Sequence, residues 1–389
     1  MKQLRFLPSN EVRLLHNGAE FFPSLIDAID QAAVEIFLEY YIYADDDVSA
    51  DVSDALVRAA ARGVRVHVIS DWLGTGRLHT ALLKQKLAGT GVLHRTFNPW
   101  FRRGIARTHR KLCAVDRKVG FVGGINIVDD MFSDDGVYLA LAEPRWDFAV
   151  RIEGPLAAAI HKEIEAQWLR MGSLKIKERI GLYRELRSGP PLVQAGMGEV
   201  SAALVVRDNL RNRRTIQRAY LQALGHARRK VVFANPYFAP GRKLRRALEA
   251  AAARGVDVTV LLGVGQFLLQ DAVAHSFYPK LLRAGVKIVE YRKTQLHAKV
   301  AVVDEDWTTV GSSNYDGLSL FINQEANVVI RDAKFAVALR AQIEKGIADG
   351  VAVHLADYAN IRWYKRFWYG VAFMLYETII RVATWSKYT

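Results

Sequence analysis

The sequence predicts an α/β protein made of two repeats, each a mixed β-sheet flanked by helices. Three observations support this prediction: the length of the chain, an internal repeat, and a regular alternation of strand and helix patterns. At 389 residues the chain is too long for one ordinary hydrophobic core and suits two domains. Its hydrophobic content of 51% and charged content of 24% are typical of a folded protein.

The segments of the two halves correspond in order. Three pairs match along the chain: 35–43 with 230–238, 55–70 with 247–262, and 87–97 with 281–291. The first pair has the pattern of a strand that opens into a loop. The second has a helix ending in Arg-Gly and then an alternating apolar strand, and the third adds another strand. This alternation predicts helices that cover a mixed sheet in each half.

A change in composition marks the boundary between the halves. The stretch RSGPPLVQAGMG, at 187–198, is rich in glycine and proline and is the best candidate for a linker. We therefore predict a first domain over 1–195 and a second over 196–389. The second domain ends in an amphipathic segment, 362–389.

The strictest part of the repeat is a polar motif. THRKLCAVDRKVGFVGGIN (108–126) and LHAKVAVVDEDWTTVGSSN (296–314) place the same polar residue types at the same spacing. A fold needs only its apolar positions to recur, so recurring polar residues indicate a catalytic site. The candidate residues are His109, Lys111, Asp116 and Asn126 in the first copy, and His297, Lys299, Asp304 and Asn314 in the second.

The motif residues suit chemistry on a phosphodiester. Residues i and i+2 of a strand face the same way, so the histidine and lysine of each copy project together. One neutral histidine can attack phosphorus while the other, protonated, gives its proton to the departing alcohol. The lysines and asparagines would stabilise charge on the phosphate oxygens. This chemistry requires no metal and no cofactor, and the single cysteine, Cys113, excludes a disulfide framework.

The two motifs resemble the HxKxxxxD signature of the phospholipase D superfamily, which continues into GGxN or GSxN. Their local sequence is similar to the bacterial cardiolipin synthases, and RWDFAVRIEGP and FANPYFAPG point to the short B-type class of that family. The resemblance implies two phospholipase D-like repeats related by a pseudo-twofold axis, with one shared active site. It also implies transfer of a phosphatidyl group between phospholipids through a phosphohistidine intermediate.

The resemblance implies roles for individual residues. His109 would be the nucleophile and His297 the general acid and base. The family also has an acidic residue downstream of each motif that hydrogen-bonds the catalytic imidazole, and Asp147 and Glu325 match those positions. The expected reaction joins two phosphatidylglycerol molecules into cardiolipin and releases glycerol. A phosphodiesterase that hydrolyses phospholipid or nucleic acid is the alternative.

The charge balance predicts a polyanionic partner. The chain has 54 basic and 40 acidic residues, a net charge of +14, which suits nucleic acid or an anionic membrane surface. In the segment 362–389, aromatic residues stand beside arginines and lysines, as in helices that lie among lipid headgroups. This segment and the resemblance favour the membrane surface over nucleic acid, although a last helix packed on the core has a similar pattern.

Membrane-crossing and secretion signals are missing from the sequence pattern. No charge-free apolar run reaches the roughly 20 residues needed to span a bilayer, and the first ten residues lack the apolar core of a signal peptide. We therefore expect a peripheral protein of the cell membrane that acts on phospholipid. The sequence leaves the oligomeric state open.

Overall fold

A computed structural model describes residues 4–134, 138–172, 198–208, 212–358 and 361–385. In chain order the first half contains β1 (Leu7–His16), α1 (Asn17–Asp30), β2 (Glu35–Tyr40), α2 (Asp47–Ala61), β3 (Arg65–Asp71), α3 (Trp72–Thr75), α4 (Arg77–Leu87), β4 (Leu93–Phe97), β5 (Arg102–Ile105), β6 (Leu112–Val115), β7 (Val119–Gly123), β8 (Phe148–Glu153) and α5 (Pro155–Met171). The predicted linker, apart from its last residue, and the boundary at residue 195 lie outside the described residues.

The second half repeats this plan with a different ending. It contains β9 (Val200–Arg207), α6 (Thr215–His226), β10 (Lys230–Asn235), α7 (Arg242–Ala253), β11 (Asp257–Gly263), α8 (Leu268–Arg283), β12 (Lys287–Tyr291), β13 (Val300–Val303), β14 (Trp307–Gly311), α9 (Gly317–Phe321), β15 (Glu325–Arg331), α10 (Ala333–Ala348), β16 (Val351–Val353) and α11 (Trp363–Trp385). The helix α11 falls within the predicted amphipathic segment. Each half therefore has the predicted alternation of strands and helices.

Fifteen strands form one continuous sheet. Their order is β16-β12-β11-β10-β13-β14-β15-β9-β1-β8-β7-β6-β2-β3-β4. Apart from the edge strand β16, the order is symmetric about the antiparallel pair β9–β1 at the centre. In the first half, β2, β3 and β4 are parallel, and β6 and β7 form the antiparallel hairpin that carries the motif. The mixed-sheet α/β prediction is confirmed, and the two half-sheets are joined into one.

The Arg-Gly pairs end their helices as the sequence predicts. Helix α2 ends at Ala61 and helix α7 at Ala253. Gly63 and Gly255, which follow them, adopt φ values of 90° and 86°. Glycine takes this left-handed conformation without the steric cost that a Cβ atom brings, and so it stops the helix and releases the chain into the next strand.

A hydrophobic cluster shared by both halves fixes them relative to each other. It lies against α5 and α10 and contains Phe148 and Leu156 from the first half and Leu261 and Val328 from the second. Two further clusters each lie within one half, beneath its own helices. Because the shared cluster is removed from water only when the halves are together, its burial stabilises their assembly. The two motifs are thereby held at a fixed separation.

Asp116 and Asp304, predicted as catalytic residues, lie at the end of the motif strands away from the histidines. Seven residues of extended chain, at about 3.3 Å each, separate each aspartate from its histidine by roughly 20 Å. Both carboxylates accept backbone N–H groups at 2.8–3.1 Å: those of Ala33, Val34 and Glu35 for Asp116, and those of Arg228, Arg229 and Lys230 for Asp304. The structure does not bring these residues to the site. They fasten the motif hairpins to the starts of β2 and β10.

We expect Asp116→Ala and Asp304→Ala to destabilise the fold, because each removes the acceptor of three backbone N–H groups. The free energy of unfolding, measured by chemical denaturation, should fall by about 1–2 kcal/mol in each variant. The folded protein should keep its kcat. The control Asp45→Ala, at an exposed aspartate, should change stability by less than about 0.5 kcal/mol. A loss of kcat at unchanged stability would show that the two carboxylates are catalytic after all.

Candidate active site

Backbone hydrogen bonds between the halves bring the two motifs together. The N–H of His109 donates to the carbonyl oxygen of Gln324 at 2.9 Å, and the N–H of His297 donates to that of Trp146 at 2.9 Å. A short parallel bridge accompanies each contact. Each motif is therefore paired with a segment of the other half, and both histidines lie on the seam between the halves.

Each imidazole also binds the carboxylate of the opposite half. The Nδ1 atom of His109 lies 3.1 Å from Oε2 of Glu325 and 3.1 Å from the carbonyl oxygen of Ser312. The Nδ1 atom of His297 lies 2.6 Å from Oδ2 of Asp147. The resemblance implied one acid for each motif. The structure adds that the acids cross, a fact that the sequence order does not indicate.

The neighbours of the two imidazoles favour different positions for the hydrogens. Both atoms near Nδ1 of His109 are acceptors, so this nitrogen carries the hydrogen and Nε2 keeps its lone pair in the neutral ring. Around His297 a second carboxylate, that of Asp134, lies 3.2 Å from Nε2. Both nitrogens of His297 thus face carboxylates, an arrangement that favours the doubly protonated ring.

Burial and charge act unequally on the two histidines. Burial lowers the pKa of His109 to about 4, and the attraction of Glu325 offsets this only in part. Burial also lowers the pKa of His297, but there Asp134 and Asp147 both oppose it. His109 is therefore neutral near pH 7, and His297 is the better proton carrier of the two. This difference matches a nucleophile and a general acid.

The two motif lysines add positive charge to the same buried space. The Nζ atom of Lys111 donates to the carbonyl oxygen of His109 at 3.0 Å, and Nζ of Lys299 donates to that of His297. Burial, helped by repulsion from Lys299, lowers the pKa of Lys111 to about 7. Burial lowers the pKa of Lys299 to about 8. Because burial penalises both ammonium groups, an anion bound beside them would stabilise their charged forms, and the site is suited to one.

The motif asparagines occupy equivalent places with different contacts. Asn126 donates from Nδ2 to Asp134 at 3.1 Å and accepts the N–H of Ile42 at 3.3 Å. Asn314 is buried, and its Oδ1 atom has no hydrogen-bond partner within the described ranges. The amide oxygen of Asn314 can therefore still accept a hydrogen bond, for example from a hydroxyl of a bound substrate.

Gly124 and Ser312 stand at matching positions and serve the two orienting acids differently. A Cβ atom at Gly124 would lie 2.2 Å from Oδ1 of Asp147, so only glycine leaves room for that carboxylate. The hydroxyl of Ser312 instead donates to Oε2 of Glu325 at 2.5 Å. The first motif thus has no hydroxyl at this position. Gly124 instead leaves the space that the carboxylate of Asp147 occupies.

Sequence reasoning missed two residues of the site. Tyr41 follows β2, and its ring stands edge-on to the imidazole of His109 with the centroids 4.7 Å apart. Nζ of Lys111 lies 5.1 Å from the centroid of the same ring. The strand-to-loop pattern at 35–43 was a signal for Tyr41. Asp134 lies between β7 and β8, where no motif distinguishes it from the other aspartates of that segment.

Similar proteins identify the family of this chain. The chain matches a family described as cardiolipin synthase, PLD-like domain, at residues 25–168 and 220–347. Cardiolipin synthase B of Salmonella typhimurium is 38% identical over 343 residues, which cover 86% of this chain and 80% of that protein. Cardiolipin synthase B of Escherichia coli K12 is 37% identical over 347 residues, with 87% and 81% covered.

A solved structure extends the likeness to almost the whole chain. The phosphatidylserine synthase of Haemophilus influenzae superposes with a TM-score of 0.69, covering 97% of this chain and 95% of that one. At 15% identity this likeness concerns the fold alone. The two family matches confirm the two phospholipase D-like repeats, and each contains one of the motifs. The chain is therefore an enzyme of the phospholipase D-like cardiolipin synthase family and belongs to its short B-type class.

Proposed function

We propose that the protein transfers a phosphatidyl group from one phosphatidylglycerol to the headgroup of a second, forming cardiolipin and releasing glycerol. The observation that carries this proposal is the pair of buried histidines, on one cationic site, whose neighbours favour different protonation states. The family and the names of its members supply the substrate class. The geometry of the site supports the order of events proposed below.

In the first step, Nε2 of His109 attacks phosphorus and a P–N bond forms. The P–O bond to the glycerol headgroup breaks, and Nε2 of His297 gives its proton to the departing oxygen. The ammonium groups of Lys111 and Lys299 stabilise the charge that develops on the phosphate oxygens. Glycerol leaves with that proton, and His297 is left neutral.

In the second step, neutral His297 takes a proton from a headgroup hydroxyl of another phosphatidylglycerol. That oxygen attacks phosphorus, and the P–N bond to His109 breaks. Asp147 stabilises the imidazolium ion that forms on His297, while Glu325 keeps the ring of His109 in position. The products are cardiolipin and the enzyme in its starting protonation state.

Helix α11 supports delivery of the substrate from a membrane surface. One side packs on α8, where Tyr369 stacks on His275 and Phe373 meets Phe277. The opposite side exposes large apolar side chains: Trp363, Phe367, Met374, Ile379 and Val382. In the described part of the chain no helix is both long and apolar enough to cross a membrane. We infer that α11 lies on the surface of the bilayer.

Positive charge lies beside this helix. A cavity of about 570 Å³ between α8 and α11 is lined by Arg245, Arg283 and Arg366 together with apolar side chains. Near an anionic surface each basic residue contributes about 1 kcal/mol to binding. The helix also contacts the chain just after the second motif, because the hydroxyl of Tyr376 accepts the N–H of Gly317 at 2.5 Å. A membrane-bound site meets lipid headgroup hydroxyls at high local concentration, which favours transfer over hydrolysis.

We expect radiolabelled phosphatidylglycerol in mixed micelles to yield labelled cardiolipin and one glycerol for each cardiolipin formed. Thin-layer separation of the lipids and an assay of free glycerol measure the two products. His109→Ala, the control, should form neither product. Label in phosphatidic acid alone would show a hydrolase, and cleavage of nucleic acid without cardiolipin formation would favour the nuclease alternative.

His109→Ala and His297→Ala should each abolish turnover of phosphatidylglycerol, because the pair acts as one unit. Loss of the acid alone costs roughly 10²–10⁴-fold. A phosphatidyl donor with a p-nitrophenol leaving group separates the roles, since this group departs without a proton. His297→Ala should then release a burst of nitrophenol, whereas His109→Ala should not. His354→Ala, at an exposed histidine, serves as the control. A burst from His109→Ala would instead make His297 the nucleophile and His109 the general acid.

The double variant Trp363→Ser, Phe367→Ser should weaken sedimentation with anionic vesicles by at least about tenfold. Burial of one such side chain is worth about 1.5–3 kcal/mol, and 1.4 kcal/mol is tenfold in affinity. The melting temperature should stay unchanged because both side chains are exposed. Val337→Ser, at an exposed apolar residue of α10, should bind vesicles like the unaltered protein. Normal sedimentation together with a lowered melting temperature would show that α11 stabilises the fold and does not bind the membrane.

A further inference from the structure

Asp134 places a carboxylate where the phosphate-binding groups converge. Its Oδ2 atom lies 3.2 Å from Nε2 of His297 and accepts Nδ2 of Asn126 at 3.1 Å. The positive charges of Lys111 and Lys299 act on the same carboxylate. Asn126 and the two lysines are residues assigned to the substrate phosphate, and His297 is the assigned general acid. Asp134 therefore stands in the place of an anionic oxygen of the substrate.

The surrounding chain holds this carboxylate in place. Its Oδ1 atom accepts Nε2 of Gln295 at 3.1 Å, and the N–H of Asp134 donates to Oε1 of the same glutamine at 3.3 Å. Arg145 braces the segment by donating to the carbonyl oxygens of Phe132 at 2.6 Å and Val128 at 3.2 Å. The side chain of Asp134 is only 3% exposed. Hydrogen bonds therefore fix both the carboxylate and the backbone of Asp134, as is typical of a buried side chain with a defined position.

Charged groups from several elements face His297 and Asp134. Asp147 faces Nδ1 of His297, Lys299 lies two residues after His297 and just before β13, and Lys111 comes from the first motif. Burial and Lys299 lower the pKa of His297; the charge of Asp134 raises it more than the charge of Asp147 does, and Asp147 adds a hydrogen bond that also raises it. Burial also raises the pKa of Asp134, but His297, Arg145 and the two lysines together hold it well below its usual range. Asp134 is thus a full negative charge at Nε2 of His297.

We propose that Asp134 is a positioning residue that holds a proton on Nε2 of His297 in the free enzyme and yields its place to the phosphate of the substrate. The proposal rests on the assignment of His297 as the general acid. Two anions next to each other in one buried site repel strongly, so we expect the carboxylate to leave its contact with His297 as the phosphate enters. The proton for the leaving alcohol is then already in place when the substrate binds.

The first test is an NMR titration of the free enzyme labelled with ¹⁵N-histidine. The signal of His297 is identified from the His297→Gln variant. In Asp134→Asn the pKa of His297 should fall by about 1–3 units, because an opposite charge has been lost. Glu143→Gln removes a charge from the same segment, at an exposed pair with Lys293, and should leave the titration unchanged. An unchanged His297 titration in Asp134→Asn overturns the proposal.

A second variant keeps the test valid if Asp134→Asn does not fold. Gln295→Met loosens the clamp on the carboxylate but retains its charge. The pKa of His297 should move in the same direction by a smaller amount. No movement in Gln295→Met, where Asp134→Asn is unfolded, counts against the proposal in the same way.

Binding of inorganic phosphate tests whether Asp134 and a phosphate compete for the same position. Calorimetry is performed at a pH where His297 is protonated in both proteins, as set by the titration. Asp134→Asn should bind phosphate on the order of ten times more tightly than the unaltered enzyme, because no carboxylate competes for the site. Equal or weaker binding overturns the proposal. Both measurements use the free enzyme, so a finding that the protein hydrolyses lipid would refute the proposed function and leave these results interpretable.

Discussion

Reciprocal hydrogen bonding between the halves is the constraint on which the rest of the molecule depends. The backbone of each motif pairs with the segment that precedes the orienting acid of the other half. One set of contacts therefore brings two imidazoles together and supplies each with its carboxylate. The central β9–β1 pair and the shared hydrophobic cluster keep this seam from opening. A motif without its partner half would present a histidine that nothing orients.

The site brings many charged groups together in the protein interior, where an unpaired charge is costly in free energy. Two lysines, two histidines and three carboxylates lie almost fully buried within a few residues of the seam. Such a set persists only because nearly every charge faces an opposite one. The arriving phosphate adds a negative charge to this set, and the ammonium groups of Lys111 and Lys299 lie in the same buried space.

The sequence predicted the parts of the molecule that repeat. Corresponding segments gave the two mixed-sheet halves, and the motif spacing located both histidines, both lysines and both asparagines. The repeat could not distinguish catalytic residues from residues that hold a turn. Asp116 and Asp304 recur in both halves as strictly as the histidines do, because each binds backbone N–H groups. Nor does distance along the chain indicate which histidine an acid will meet. Asp134 has no counterpart in the shorter β14–β15 connection, so comparison of the halves gave no signal for it.

The crossing of the acids also constrains how such a protein can change by mutation. A carboxylate altered in one half disturbs the histidine of the other, so residues 150 or more positions apart, such as Asp147 and His297, must vary together. Two separate copies of one half, assembled as a homodimer, would have identical histidines with identical surroundings. Joining the copies in one gene lets them diverge, as Gly124 and Ser312 have done. Covalent fusion is thus what permits one histidine to specialise in attacking phosphorus and the other in carrying the proton.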